Sequence, residues 1–231
     1  MAKILGILGG MGPAASAEFM KIMAEKYPAT KDQEHPKVYL LSDPTIPDRS
    51  TAVTSGGVSP EPQIKADLEQ LIDWGAEVLA VPCNSAHCFI NNFRNQIKVP
   101  YVHIIEATVK KAKEKAPRGA WMVATQGTIK AGLYQQEAEK ENYRLIVPPQ
   151  DICDEIQSII KYVKSGDMKT AGEKMKNAVE KLWKIEKLPV ATACTELPLA
   201  YNASSLSQEY NISSLDALVE ECINEIDKEN K

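Results

Sequence analysis

The 231-residue sequence has no apolar run approaching the ~18 residues that a membrane-spanning helix needs. It has no excess of positive charge. Its 27 lysines and arginines face 31 aspartates and glutamates, a formal charge of −4, so nothing electrostatic argues for a nucleic-acid partner. Low-complexity tracts are absent. The patterns G-x-G-x-x-G and G-x-x-x-x-G-K-[ST] are also absent, although Gly9-Gly10-Met11-Gly12 is glycine-rich; dinucleotide and ATP binding are therefore set aside. Only three histidines occur. Cys83, His87 and Cys88 fit no common zinc spacing, no second ligand pair accompanies them, and no metal is expected. His87 is expected to satisfy a backbone carbonyl instead. Five cysteines, an odd number, argue against a complete disulfide framework. The first apolar stretch runs into glycines and reads as a strand rather than a signal peptide. Free thiols and a cytoplasmic location are the expectation.

What is present is ordinary for a globular chain: 44% apolar and 25% charged residues. Short apolar runs alternate with longer amphipathic ones. Strands are expected at 4–8, 37–42 and 77–81, with helices at 14–27 and 62–74. The segment 43–60, rich in Pro and Gly, is expected to be a long functional loop. The second half repeats the scheme, with strands at 119–124, 145–147 and 189–193 and helices at 129–142, 152–165 and 168–183. A final helix over 213–231 carries Leu215, Leu218, Val219, Cys222 and Ile226 on one stripe. Strands separated by helices predict an α/β protein with parallel sheets. Two similar doubly wound lobes, related by pseudo-symmetry, are expected to enclose an active-site cleft. The first lobe, carrying Cys83, is expected over 1–102 plus 207–231. The second, carrying Cys194, is expected over 103–206.

The most informative feature is a pair of matched contexts. Val81-Pro82-Cys83-Asn84-Ser85 and Thr192-Ala193-Cys194-Thr195-Glu196 lie nearly half a chain apart, and each follows a short apolar strand. Ligands bind beyond the carboxyl ends of strands in open parallel sheets. A lone cysteine there is usually a small buried hydrophobe; two in matched positions point to chemistry. Thiols on opposite sides of one cleft suit removal of a proton from one face of a carbon and its return to the other. Helices are expected to open just after each cysteine and to favour thiolate and carboxylate. Asn84, Ser85 and Thr195 add side-chain donors, with residues 9–12 and 125–128 as the opposite wall. Arg49 is the best local candidate for a bidentate carboxylate clamp. Cys88, Cys153 and Cys222 are expected to be structural.

Five motifs in order resemble the aspartate/glutamate racemase family, its aspartate racemase branch in particular. They are Gly9-Gly10-Met11-Gly12-Pro13, Ser42-Asp43-Pro44-Thr45-Ile46-Pro47-Asp48-Arg49, Pro82-Cys83-Asn84-Ser85-Ala86-His87, Ala124-Thr125-Gln126-Gly127-Thr128-Ile129 and Ala193-Cys194-Thr195-Glu196-Leu197-Pro198. The Cys-Thr-Glu triplet is similar to the aspartate branch, whereas glutamate racemases typically show Cys-Thr-His. Ser85 stands where threonine is more usual. The resemblance implies a cofactor-independent racemase, with no pyridoxal phosphate, that interconverts L- and D-aspartate by thiolate/thiol proton transfer at the α-carbon. Cys83 and Cys194 would be the acid/base pair. Asn84, Ser85, Thr125 and Thr195 would hold the α-carboxylate, Arg49 and Lys164 the distal carboxylate, and Met11 would line the pocket. A homodimer is also implied. Glutamate or a wider amino-acid range, a related dicarboxylate lyase or cis–trans isomerase, and a non-catalytic binding protein are the alternatives.

Overall fold

The structure, a computed structural model, describes residues 2–228. The first half contains β1 (Leu5–Gly9), α1 (Pro13–Lys26), β2 (Val38–Ser42), α2 (Arg49–Ser55) and α3 (Glu61–Asp73). It continues through β3 (Val78–Ala80), α4 (His87–Ile90), β4 (Tyr101–Val102) and α5 (Ile104–Lys115). The second half contains β5 (Ala120–Val123), α6 (Gln126–Ala131), α7 (Leu133–Lys140), β6 (Leu145–Ile146), α8 (Gln150–Lys164) and α9 (Met168–Ile185). It ends with β7 (Val190–Thr192), α10 (Leu197–Ala203), β8 (Asn211–Ser213) and α11 (Ser214–Ile226). The strands form two four-stranded parallel sheets with the same order, β2-β1-β3-β4 and β6-β5-β7-β8. This is the expected α/β architecture of two similar lobes.

Strand parity sorts the core. Leu5, Ile7, Val78 and Ala80 of the first sheet share a cluster with Ala120, Met122 and Ala191 of the second, so the inner faces of both sheets meet in one apolar seam. Leu8, Leu79 and Val81 point the other way, toward Ile64, Leu68 and Leu71 of α3. Trp121, Val123 and Val190 do the same in the second lobe, toward α8 and α9. Period-2 alternation with both faces apolar is what a sheet covered on both sides requires.

Two helices cross between the lobes. The helix α5 leaves the first sheet and packs on α7 and β8, while α11 leaves the second sheet and packs on α1, β3 and β4. The expected boundary at 207 is therefore corrected. Asn211–Ser213 pair with Val190–Thr192 in the second sheet, and the chain returns to the first lobe only from Ser214. The sequence of β8 gives no strand signal, because a single apolar residue, Ile212, stands between the polar Asn211 and Ser213. The expected end of the last helix at 231 lies outside the described residues.

Three further expectations change. The segment 43–60 contains a helix, α2, which starts at Arg49 because the Asp48 side chain accepts the Thr51 N–H at 2.7 Å. The single helix expected over 129–142 is broken at Gly132, whose φ of 71° ends α6 in the left-handed region. The helices after the two cysteines begin later than expected, at His87 and Leu197. Among the described residues no helix is long and apolar enough to cross a membrane.

Leu215, Leu218, Val219, Cys222 and Ile226 are wholly buried in the seam between the lobes. Leu218→Ala is expected to lower unfolding stability by about 2–5 kcal/mol. Urea denaturation checks this; a loss below about 1 kcal/mol would mean the helix is peripheral.

Candidate active site

Cys83 lies just beyond β3 and Cys194 just beyond β7, equivalent strands of the two sheets. Both side chains face one cleft. Met11, Arg49, Asn84, Ser85, Thr125, Lys164 and Thr195 line it too, so the structure brings every residue singled out from the sequence to one place. Asp48, Ser50, Thr128 and Glu196 complete the lining. The free volume is about 20 Å³, room for about one water molecule. The roof is a contact between lobes: α2 lies on α6, and a Cβ on Gly127 would stand 3.0 Å from the Ser50 Cα. Lys130 Nζ also donates to the Thr54 carbonyl across this contact, at 3.2 Å.

The two thiols have different neighbours. Cys83 Sγ is 3.8 Å from the Ser85 hydroxyl, and its carbonyl is held by His87 Nδ1 at 2.9 Å. His87 Nε2 meets the Tyr101 hydroxyl at 2.7 Å, so both ring nitrogens are engaged. Burial pushes the basicity of His87 well below the usual imidazole range. Cys194 Sγ donates to Glu196 Oε2 at 3.1 Å. Burial first, and then the Glu196 carboxylate, push the Cys194 thiol well above its ordinary pKa. In this contact Cys194 is the donor and the Glu196 carboxylate the acceptor. The Thr195 hydroxyl reaches the same carboxylate oxygen at 3.4 Å, and Lys164 Nζ stands 3.9 Å from the other.

Positioning is largely local. Asn84 receives the Tyr134 hydroxyl on Oδ1 at 2.7 Å and donates through Nδ2 to Ser214 Oγ at 3.3 Å, which fixes its amide. Thr125 caps α6: its Oγ1 accepts the Thr128 N–H at 3.1 Å and donates to the Thr128 hydroxyl at 2.9 Å. Met11 is both core and lining, packed among Leu8, Ile46 and Cys83. Arg49 lines the cleft and also has a structural role. Its two terminal nitrogens donate to the carbonyls of Ile46, Pro47 and Met11, so it staples the loop to the first-strand turn. These bonds occupy three of its five N–H donors, and the buried Nε has no partner, so two donors remain for a ligand.

The remaining cysteines sit apart from the cleft lining. Cys222 is wholly buried, and Cys153 donates to the Pro148 carbonyl at 3.3 Å. Burial pushes the Cys88 thiol up to about 11. Of the four lining residues beyond the expected set, Asp48, Ser50, Thr128 and Glu196, it is Glu196 that bonds a cleft thiol. Its signal was present in the Cys-Thr-Glu triplet, but only the fold shows the carboxylate turned back onto the cysteine two residues before it.

A family model described as Asp/Glu/hydantoin racemase matches residues 8–222. The chain belongs to this family. The broad-specificity amino-acid racemase RacX of Bacillus subtilis is 30% identical over 146 residues, 58% of this chain and 59% of that protein. A glutamate racemase of Persephonella marina is 32% identical over 117 residues, 48% of this chain and 43% of that protein. The chain thus matches about three fifths or less of these curated relatives. An aspartate racemase of Picrophilus torridus superposes with a TM-score of 0.83 at 28% identity, covering 97% of this chain and 94% of that one. A glutamate racemase of Bacillus anthracis, at 16% identity and a TM-score of 0.71, shares the fold.

Because the Glu196 charge helps keep Cys194 protonated, Glu196→Gln is expected to bring its thiolate out at lower pH. The rate of Cys194 alkylation by iodoacetamide against pH, measured in a Cys83→Ser background, checks this. A profile that stays in place would mean burial alone holds the proton.

Proposed function

We propose that the protein is an amino-acid racemase that interconverts L- and D-aspartate without pyridoxal phosphate. The observation that carries this reading is the placement of two thiols on equivalent strand ends of two lobes, facing one cleft. One sulfur, as thiolate, takes the α-proton and the other, as thiol, protonates the opposite face of the carbanion; the roles reverse for the other enantiomer. Cys194, protonated against Glu196, is in the acid state that one direction requires. The carbanion needs fixed donors around the α-carboxylate in a site from which water is excluded. Ser85 and Thr195 supply hydroxyls there, and Asn84 keeps one amide hydrogen beyond its bond to Ser214. Thr125, whose own proton goes to Thr128, presents the Thr128 hydroxyl as the donor on its side. Lys164 and the Arg49 Nε are the cationic groups for a distal carboxylate. Since the cleft has room for about one water, the α2–α6 contact must part to admit substrate and can then close over it. A homodimer belongs to the same proposal.

A wider substrate range is the second reading. It is favoured by the similarity to the broad-specificity racemase and to the glutamate racemase. Retention of both thiols in one cleft disfavours a lyase or cis–trans isomerase that uses a single cysteine.

Cys83→Ser and Cys194→Ser are each expected to lower racemisation by about 10²- to 10⁴-fold, the usual contribution of a positioned acid or base. Each variant should still exchange the α-hydrogen of one enantiomer of aspartate in D₂O, and the two variants should favour opposite enantiomers. Proton NMR with chiral chromatography reads both effects. Undiminished racemisation in either variant would remove the two-thiol mechanism.

A further inference from the structure

Glu196 is a buried carboxylate with one oxygen engaged and one free. Its side chain is 6% exposed. Oε2 accepts the Cys194 thiol and the Thr195 hydroxyl, but Oε1 has no hydrogen-bond partner. The nearby cation, Lys164 Nζ, stands off at 3.9 Å on a half-exposed side chain. Gly12 keeps the space beside this oxygen open, since a Cβ there would come within 3.1 Å of Oε1. The cleft lining contains one other anion, Asp48, and that side chain is exposed and caps α2. A buried charge without a full set of partners is costly, and a ligand that supplies the missing donor is favoured.

We propose that Glu196 Oε1 is the anchor for the substrate's α-ammonium group. The proposal rests on the racemase reading above and deepens it. The site would demand an amino acid rather than the corresponding dicarboxylate, which separates this cleft from relatives that act on dicarboxylates lacking the amine. Geometry also gives the anchor a place in the reaction. The carboxylate that receives the ammonium is the one that holds the Cys194 proton, so the amine-bearing carbon is drawn to that thiol. The ammonium stays protonated there and acidifies the adjacent α-hydrogen.

The test compares L-aspartate with succinate, which has the same two carboxylates and no ammonium. Titration calorimetry on the unmodified protein should show tighter binding of L-aspartate. In Glu196→Gln that preference should fall by about tenfold to a hundredfold, the size of one charge-assisted hydrogen bond. Lys164→Met approaches the claim from the other side. With this cation removed and the carboxylate kept, succinate should suffer more than L-aspartate and the preference should rise. An unchanged preference in Glu196→Gln, a fall in Lys164→Met, or no preference in the unmodified protein would overturn the anchor. Exchange of the α-hydrogen in D₂O by the unmodified protein separates the two readings. Exchange with an unchanged preference in Glu196→Gln sinks the anchor alone. A collapsed preference without exchange supports the anchor and sinks the racemase.

Discussion

The apolar seam between the two sheets is the constraint on which the rest depends. Leu5, Ile7, Val78 and Ala80 from one sheet meet Ala120, Met122 and Ala191 from the other, with α5 and α11 crossing to close the packing. Because each crossing helix is covered mainly by the opposite lobe, neither sheet completes its inner face alone. The seam therefore fixes how the strand ends confront each other. Cys83 and Cys194 each follow the same strand in the common order β2-β1-β3-β4 and β6-β5-β7-β8. Once the sheets are fixed, the two sulfurs must share a cleft.

The lobes are alike in topology but not in chemistry. The Cys83 side offers a neutral setting: a serine hydroxyl beside the sulfur, and a histidine buried without charge behind its carbonyl. The Cys194 side offers a carboxylate in direct contact with the sulfur. A racemase acting on a chiral carbon does not require identical acids on its two faces. It requires a thiolate on one face and a thiol on the other, and the contact with Glu196 places a proton donor on the Cys194 side. The closed α2–α6 contact serves the same end, because fixed donors act more strongly where water is excluded.

Much of this was legible in the sequence, for identifiable reasons. Strands with strong apolar runs, such as those ending at Gly9 and Thr192, announce themselves. Tyr101–Val102 and Asn211–Ser213 do not, because each lacks an apolar run: Val102 is followed by His103, and Ile212 stands between Asn211 and Ser213. The helix Arg49–Ser55 hid among prolines and glycines, although Asp48 is a good cap for it. Arg49 was read by residue type as a fork for a carboxylate. Its nearest acceptors proved to be backbone carbonyls of its own loop, and spacing alone does not reveal such local competition. Glu196 was quoted within a motif without a role, since its importance lies in a side-chain rotamer that returns it to Cys194.

The central claim is that two bases act on opposite faces of one carbon. Its most direct test is the isotope content of both enantiomers early in a reaction of L-aspartate in D₂O. The account predicts that newly formed D-aspartate carries deuterium at the α-carbon while recovered L-aspartate keeps its hydrogen. D-aspartate that retained the original hydrogen would show one base working on both faces, and would contradict the account.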